Sequence, residues 1–296
     1  MDGRMRQLGL VVHPRREIGT ALASLQAWCD ERGIAVVQVP ASGEERQVAP
    51  PGVPADCDLI VALGGDGTTL AAIHTAAPDE RPVLGVACGS LGALTAVGAD
   101  ALTGALDRVA AGDWMPRRLP ALHVESGGAS RWAVNDLVLV REGAGQVSAD
   151  VRVDGELFVR FAGDGLVVAT PTGSSAYTLA AGGPVLAPGA AGLVFTPLAP
   201  HGGCIPPLVA GPDSRLEIEL DPGHGGARIE LDGQIRDRAE PLIPRTFTVA
   251  LRTHHATLVA LGGEEPMLTG LRRRGVLTDS PRIVARDVRA GLQTGT

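Results

Sequence analysis

Between Leu59 and Leu70 the chain reads LIVALGGDGTTL, an apolar run followed by two glycines, an aspartate, a third glycine and two threonines. Residue types in that order can handle phosphate. Glycine adopts backbone angles closed to other residues and lets a ligand approach the main chain. A helix opening just beyond has free N–H groups and a positive dipole end, which suits an anion. Leu59–Leu63 reads as a buried strand that stops at Gly64-Gly65, with a helix starting near Thr68. Asp66 then lies in the turn at the carboxyl end of a strand, where open α/β sheets bind ligands. Its carboxylate can serve as a base toward an attacking hydroxyl or help to place a magnesium ion. The plainer alternative is a tight strand-to-helix turn that Asp66 caps.

A second group of polar side chains lies in DGLVVATPTGSSAYTLAAGGP, residues 164–184. An apolar strand ends in Thr170-Pro171-Thr172-Gly173, and a short helix, Ser174 to Ala181, follows. The hydroxyls of Thr170, Thr172, Ser174 and Ser175 crowd its start. Capping accounts for one or two of them; a polar ligand held at the helix start accounts for more of the set, with Gly173 and Tyr177. The third group is Asn135-Asp136 within WAVNDLVLV (132–140), a polar pair in an otherwise apolar strand. Burying both groups is costly without partners. A turn or bulge can hold them, and so can ligand hydroxyls.

The elements that must position these groups change in character along the chain. Up to about residue 112, apolar strands alternate with helical spacings: Leu8–Val12, a helix over Glu17–Arg32, Ile34–Val39, the glycine-ended strand with its helix to about Ala77, Pro82–Ala87, and a helical stretch from Asp100. That rhythm means a parallel sheet with crossover helices. After Trp114, short apolar or alternating runs punctuated by glycine and proline indicate a β-rich domain. They are 121–125, 132–141, 149–153, 157–161, 166–170, 193–197, 215–220, 227–231, 247–251 and 256–261. The division is therefore an α/β domain over 1–115, a β-rich, sandwich-like domain over 116–262, and a segment over 263–296 that could pack back on the first. Glu264–Arg274 reads as helix, and the stretch from about Asp279 lacks strong periodicity and should be loosely held.

Composition narrows the function classes. With 45% hydrophobic and 20% charged residues among 296, the chain can bury a sizeable core. Aromatics at 3% argue against single-strand stacking platforms, and a net charge of −7 offers no general attraction to nucleic acid or anionic membranes. Four cysteines without metal-ligand spacing read as reduced thiols in a cytoplasmic protein. No run approaches a membrane span. The histidines show no metal spacing, and Asp232-Gly233-Gln234 fits a hairpin turn.

With these motifs in hand, the chain resembles the ATP- or polyphosphate-dependent NAD kinases from about residue 8 to 275. GGDGT (64–68) is shared with lipid kinases and phosphofructokinases; DGLVVATPTGSSAYTLAAGGP (164–184) is far more specific, and VNDLVLVRE (134–142) and TPLAPH (196–201) fall in the expected order. The resemblance implies an N-terminal α/β domain, a C-terminal β-sandwich-like domain and a site in the cleft between them. It also implies magnesium or another divalent metal, ATP or another polyphosphate as donor, and a homodimer or homotetramer. By the same resemblance Asp66 is the base toward the 2′-hydroxyl of the adenosine ribose of NAD. Gly64, Gly65, Gly67 and Thr68 approach the phosphates. Asn135 and Asp136 bind the ribose hydroxyls. Thr172, Ser175, Ala176 and Tyr177 line the nucleotide site, Asp164 opens that motif, and Gln234 is a weaker candidate.

Several positions depart from the family pattern. Asp136 stands where glutamate is usual, Ala87 and Ala93 where asparagine and phenylalanine are usual, and Pro206-Pro207 where an Arg-Pro is usual. Losing groups that pair with a substrate changes affinity. The reading is therefore phosphoryl transfer to NAD, giving NADP. The alternatives are a kinase of the same fold acting on a smaller acceptor such as a nucleoside, and a non-catalytic nucleotide-binding regulator.

Overall fold

The computed structural model describes residues 5–41, 46–187, 189–263 and 266–290. The chain divides into two units, one of Met1–Pro116 with Val259–Thr296, the other of Arg117–Leu258.

In the first unit β1 (Gln7–Val12), α1 (Gly19–Arg32), β2 (Ala35–Gln38), β3 (Leu59–Gly64), α2 (Asp66–Ala76), β4 (Val83–Ala87), β5 (Val97–Gly98) and α3 (Leu102–Ala110) follow in order. The strands pair in parallel as β5-β4-β3-β1-β2. Strands β1, β3 and β4 are apolar along nearly their whole length because both faces of a parallel sheet are covered. Leu8, Leu10, Leu25, Leu63, Leu84 and Leu106 meet in the core. Helices α1 and α3 are also tied by Asp107, which accepts from Trp28 Nε1 at 2.8 Å and Arg32 Nη2 at 2.9 Å. Because Val12 is level with Leu63 and Gly64 with Ala87, the carboxyl ends of β1, β3 and β4 lie side by side. The helix after the glycines starts at Asp66, two residues before Thr68, so the carboxylate stands in its first turn.

The second unit holds β6 (Met115–Ser126, begun in the first unit), β7 (Ala129–Ala133), β8 (Asp136–Arg141), β9 (Val147–Val153), β10 (Glu156–Gly163), β11 (Gly165–Ala169) and α4 (Tyr177–Ala180). It continues with β12 (Leu193–Leu198), β13 (Leu208–Ala210), β14 (Arg215–Asp221), β15 (Ala227–Leu231), β16 (Gln234–Ala239) and most of β17 (Arg245–Ala260). One layer is β10-β9-β14-β17 with the β6–β7 hairpin; the other is β13-β12-β11-β8-β15-β16, every pairing antiparallel. Leu139, Val168 and Phe195 from one layer meet Val151, Ile218 and Phe247 from the other, giving a β-sandwich. In β11 and β12 the reverse face is buried too, so these strands read as continuous apolar runs.

Four expectations change. The run 132–141 is two strands broken at Val134-Asn135, and the separate runs expected at 247–251 and 256–261 join in the single strand β17, which ends at Ala260. The helix expected over Ser174–Ala181 is a 3₁₀ turn, Gly173–Ser175, and the single turn α4, separated at Ala176, whose ψ is −118°. In the first unit, α5 (Met267–Arg273) occupies part of 264–274, Glu264 and Glu265 lying outside the described residues. Beyond it α6 (Pro281–Arg289) forms in the stretch from about Asp279 whose lack of strong periodicity predicts loose holding. Its sequence start is Ser280 before Pro281, a favourable helix opening, although none of its residues is buried.

Candidate active site

The first unit gathers its candidate residues at the carboxyl edge of its sheet. Gly64 closes β3 because Thr68 folds against it: a Cβ there would stand 2.2 Å from Thr68 Oγ1. Thr68 is buried, and the neighbouring Thr69 hydroxyl donates to Gly65 O at 3.1 Å, tightening the first turn of α2. Asp66 projects from this turn toward the loop after β4. Its Oδ2 accepts the Ala93 N–H at 2.9 Å and its Oδ1 the Leu94 N–H at 2.9 Å. A Cβ on Gly92 would come within 2.0 Å of Oδ1, so glycine is what lets the loop close on the carboxylate. Asp66 thus does not cap its own helix, whose N-cap is Gly65 and which has no side-chain cap; its carboxylate binds the loop after β4 instead. It is held in one orientation by two amides, with lone pairs left over for a further donor. Around Gly67 there is open space, and nothing among the described residues demands glycine there.

The second unit brings three motifs to one end of its inner strands. Asn135 and Asp136 stand where β8 begins, and register places Asp136 opposite Ala169, one residue before Thr170. Gly173 packs directly on the Asn135 carbonyl; a Cβ there would overlap it at 2.0 Å. Asp232, at the β15–β16 turn, accepts the N–H groups of Val134, Asn135 and Asp136 at 2.9, 2.6 and 3.3 Å. Its φ of 53° and the 72° of Gly233 are those of a two-residue hairpin turn, as the sequence predicts. Gln234 is exposed just beyond that turn.

The crowded hydroxyls divide into two kinds. Thr170 Oγ1 donates to Val134 O at 2.5 Å and accepts from Gly173 N at 3.1 Å. Ser174 Oγ donates to Pro171 O at 2.7 Å and accepts from Leu186 N at 2.9 Å. Both are fully buried and hold the turn together. Thr172 and Ser175 are half-buried, Ser175 Oγ donating to Thr172 O at 3.2 Å; Ala176 and Tyr177 are exposed. Asp164 stands at the other end of β11, five strand residues away from Thr170 and thus about 20 Å distant. There it accepts from Arg141 Nε at 2.6 Å.

Asp136 is the buried charge of this unit, 5% exposed. Burial, then the Asp232 and Glu230 carboxylates, push its carboxyl up to about 7. Among the described residues no hydrogen bond to that carboxyl offsets the shift, which leaves it available to a ligand. Residues not singled out in the sequence are Asp232, the Ala93 and Leu94 amides, and Arg16, whose Nη1 is 3.4 Å from Gly64 O. Only the DG hairpin signal could have flagged Asp232.

A metal needs its own donors. Among the described residues no group of three or more His, Cys, Asp and Glu side chains could hold an ion. The carboxylate at the glycine turn, Asp66, is engaged by two amides. This donor set builds no protein-made metal cage.

The first unit presents an oriented carboxylate after a glycine turn, and the second a hydroxyl-rich turn beside a buried carboxyl. Residues 8–114 match the ATP-NAD kinase N-terminal domain and residues 134–281 the ATP-NAD kinase C-terminal domain. The chain is 34% identical to NAD kinase 1 of Streptomyces coelicolor, over 95% of this chain and 88% of that one. It is 33% identical to an NAD kinase of Chlorobium limicola, over 86% of this chain and 91% of the other. Its fold is similar to yeast NADH kinase complexed with NADH, with a TM-score of 0.78 at 22% identity over 94% of this chain and 89% of that one. It is also similar to an NAD kinase from Archaeoglobus fulgidus in complex with ATP, with a TM-score of 0.71 at 20% identity over 92% and 100%. The chain belongs to the ATP-NAD kinase family and is a transferase. These relatives do not favour the smaller-acceptor kinase or the non-catalytic regulator.

Proposed function

We propose that this chain transfers the terminal phosphoryl group of ATP to the 2′-hydroxyl of the adenosine ribose of NAD, giving NADP and ADP. The observation that carries this reading is the Asp66 carboxylate, fixed by the Ala93 and Leu94 amides beside a glycine-lined strand end. In the reaction the ribose oxygen bonds to the γ-phosphorus as the bond from that phosphorus to the β,γ-bridging oxygen breaks. The hydroxyl proton passes to Asp66. Phosphoryl transfer relies mainly on positioning and charge neutralisation, and an oriented carboxylate supplies the first. Gly64, Gly65, Gly67 and Thr68 let the phosphates approach the main chain. Asn135 and Asp136 take the ribose hydroxyls, and Thr172, Ser175, Ala176 and Tyr177 line the nucleotide, with Gln234 as a further contact; Asp164, at the far end of β11 and paired with Arg141, is left out of this set.

Magnesium enters this reading as an ion carried by the triphosphate, since that ion is commonly held by substrate phosphates and water. A homodimer or homotetramer in the cytoplasm, with no nucleic-acid or membrane partner, completes it. Among the described residues no helix is long and apolar enough to cross a membrane.

The test offers NAD, NADH, adenosine and other nucleosides separately with ATP and magnesium, with mass-spectrometric detection. The expected product is NADP from NAD, absent with Asp66→Asn. A phosphorylated nucleoside without NADP would overturn the acceptor. Full turnover by Asp66→Asn would overturn the role of Asp66.

A further inference from the structure

A triphosphate carries several negative charges, and the chain, which contains no lysine, must meet them with arginine or with backbone dipoles. At the edge where β1, β3 and β4 end, Arg16 is placed for that task, while Arg273 Nη2 donates to Leu91 O of the loop after β4 at 3.2 Å. Arg16 lies in the loop leaving β1, and its backbone is pinned there: His13 Nδ1 accepts the N–H groups of Arg15 and Arg16 at 3.1 and 2.9 Å. His13 N in turn donates to Leu63 O at 2.9 Å, tying the loop to the end of β3. From this anchor the guanidinium reaches across the glycine turn. Nη1 is 3.4 Å from Gly64 O, a loose contact, and a Cβ added to either Gly65 or Gly89 would stand 3.2 Å from the same nitrogen. Two strand ends therefore present bare backbone beneath this cation. Among the described residues no carboxylate pairs with it. Its charge reaches the loop, since it offsets part of the upward push that burial gives the Cys88 thiol. A second guanidinium stands behind it, Arg46 Nη1 being 3.4 Å from Arg16 O.

A surface arginine resting on a carbonyl is common and usually means little. Here the cation has no carboxylate partner among the described residues, its backbone is anchored, and glycines lie under it on two neighbouring strand ends. Asp66 projects from the first turn after the same glycines. We propose that Arg16 is a donor-phosphate ligand: its guanidinium binds the oxygens of the nucleoside triphosphate over Gly65 and Gly89, while Asp66 faces the acceptor hydroxyl. The planar fork suits paired phosphate oxygens better than an ammonium would. Arg16 then determines affinity for the donor and neutralises charge on the transferring group.

This inference rests on ATP being the donor, and the experiment separates the two. Steady-state kinetics of Arg16→Gln, Arg16→Lys and, as a distant control, Arg289→Gln are measured with ATP and NAD varied in turn, alongside thermal melts. The expected result for Arg16→Gln is a KM for ATP raised roughly 10- to 100-fold, the range for losing a hydrogen bond between charged groups. The KM for NAD and the melting temperature should stay near wild type. Arg16→Lys should recover part of the loss, and Arg289→Gln should match wild type. Inorganic tripolyphosphate should inhibit wild type competitively with ATP and inhibit Arg16→Gln far less. If wild type phosphorylates NAD while Arg16→Gln and Arg16→Lys keep its KM for ATP, the assignment of Arg16 is overturned and the function stands. If Arg16→Gln fails to fold, the folded Arg16→Lys decides: an unchanged KM for ATP overturns the assignment. If wild type transfers no phosphate from ATP, the functional reading fails first and takes this inference with it.

Discussion

Asp232 Oδ1 accepts the backbone N–H of Asn135 at 2.6 Å across 97 residues of sequence. The same carboxylate also accepts from Val134 and Asp136, so one side chain sets the backbone from which Asn135 and Asp136 project. Removing it strands amides that β8 has not yet begun to pair. Asp232→Ala should cost about 2–4 kcal/mol in chemical denaturation, from hydrogen bonds to a charged group. The KM for NAD should rise more than the KM for ATP. Asp232→Asn keeps one carbonyl acceptor and should fall between the two.

Asp66→Asn should leave the fold intact and lower kcat by about 10²- to 10⁴-fold, the usual worth of a positioned base. The amide keeps one acceptor oxygen, so either Ala93 or Leu94 loses its partner, at about 1 kcal/mol. A kcat within a few-fold of wild type, with circular dichroism unchanged, would remove Asp66 from the chemistry.

Gly92 and Gly67 separate two uses of glycine. A methyl on Gly92 overlaps the Asp66 carboxylate, so Gly92→Ala should cut kcat at least about tenfold by misplacing it. A methyl on Gly67 meets none of the described residues, and glycine in the first turn of α2 carries an entropic cost. Gly67→Ala should therefore be stabilised by up to about 1 kcal/mol. It should nonetheless raise a nucleotide KM where the ligand approaches that backbone. Added stability with unchanged kinetics would show that no ligand comes close there.

What the sequence disclosed follows from how local each determinant is. Strands β1, β3 and β4 were legible because burial on both faces leaves apolar runs, and the glycines after Leu63 mark where β3 stops. The hairpin at Asp232-Gly233 was legible because its angles favour that dipeptide. By contrast, the buried hydroxyls of Thr170 and Ser174 look like ligand groups until their partners Val134 O and Leu186 N are known, and those partners are set by tertiary packing. Asn135-Asp136 reads as an anomaly inside a strand because the carboxylate that orders it lies almost a hundred residues on. The grip of the 93–94 amides on Asp66 and the reach of Arg16 over Gly65 likewise depend on adjacent strand ends, which spacing alone does not specify.

The Asp136 carboxyl should make stability depend on pH in an unusual direction. Its folded value, about 7, lies above the ordinary 3.8 because burial and then Asp232 and Glu230 disfavour the charge. Between those values the folded chain holds a proton that the unfolded chain has released, so stability is highest below about pH 4 for this group. It falls as pH rises and is lost once pH passes about 7, a contribution on the order of a few kcal/mol. Asp136→Asn should abolish that slope and be the more stable protein at pH 8, measured by denaturation from pH 5 to 8. Ligand binding should run the other way. The ionised carboxylate accepts hydrogen bonds from ribose hydroxyls, so affinity for NAD should strengthen as pH rises through 7, and Asp136→Asn should lose both the affinity and its pH dependence. A wild-type slope that survives in Asp136→Asn would assign the proton to another group.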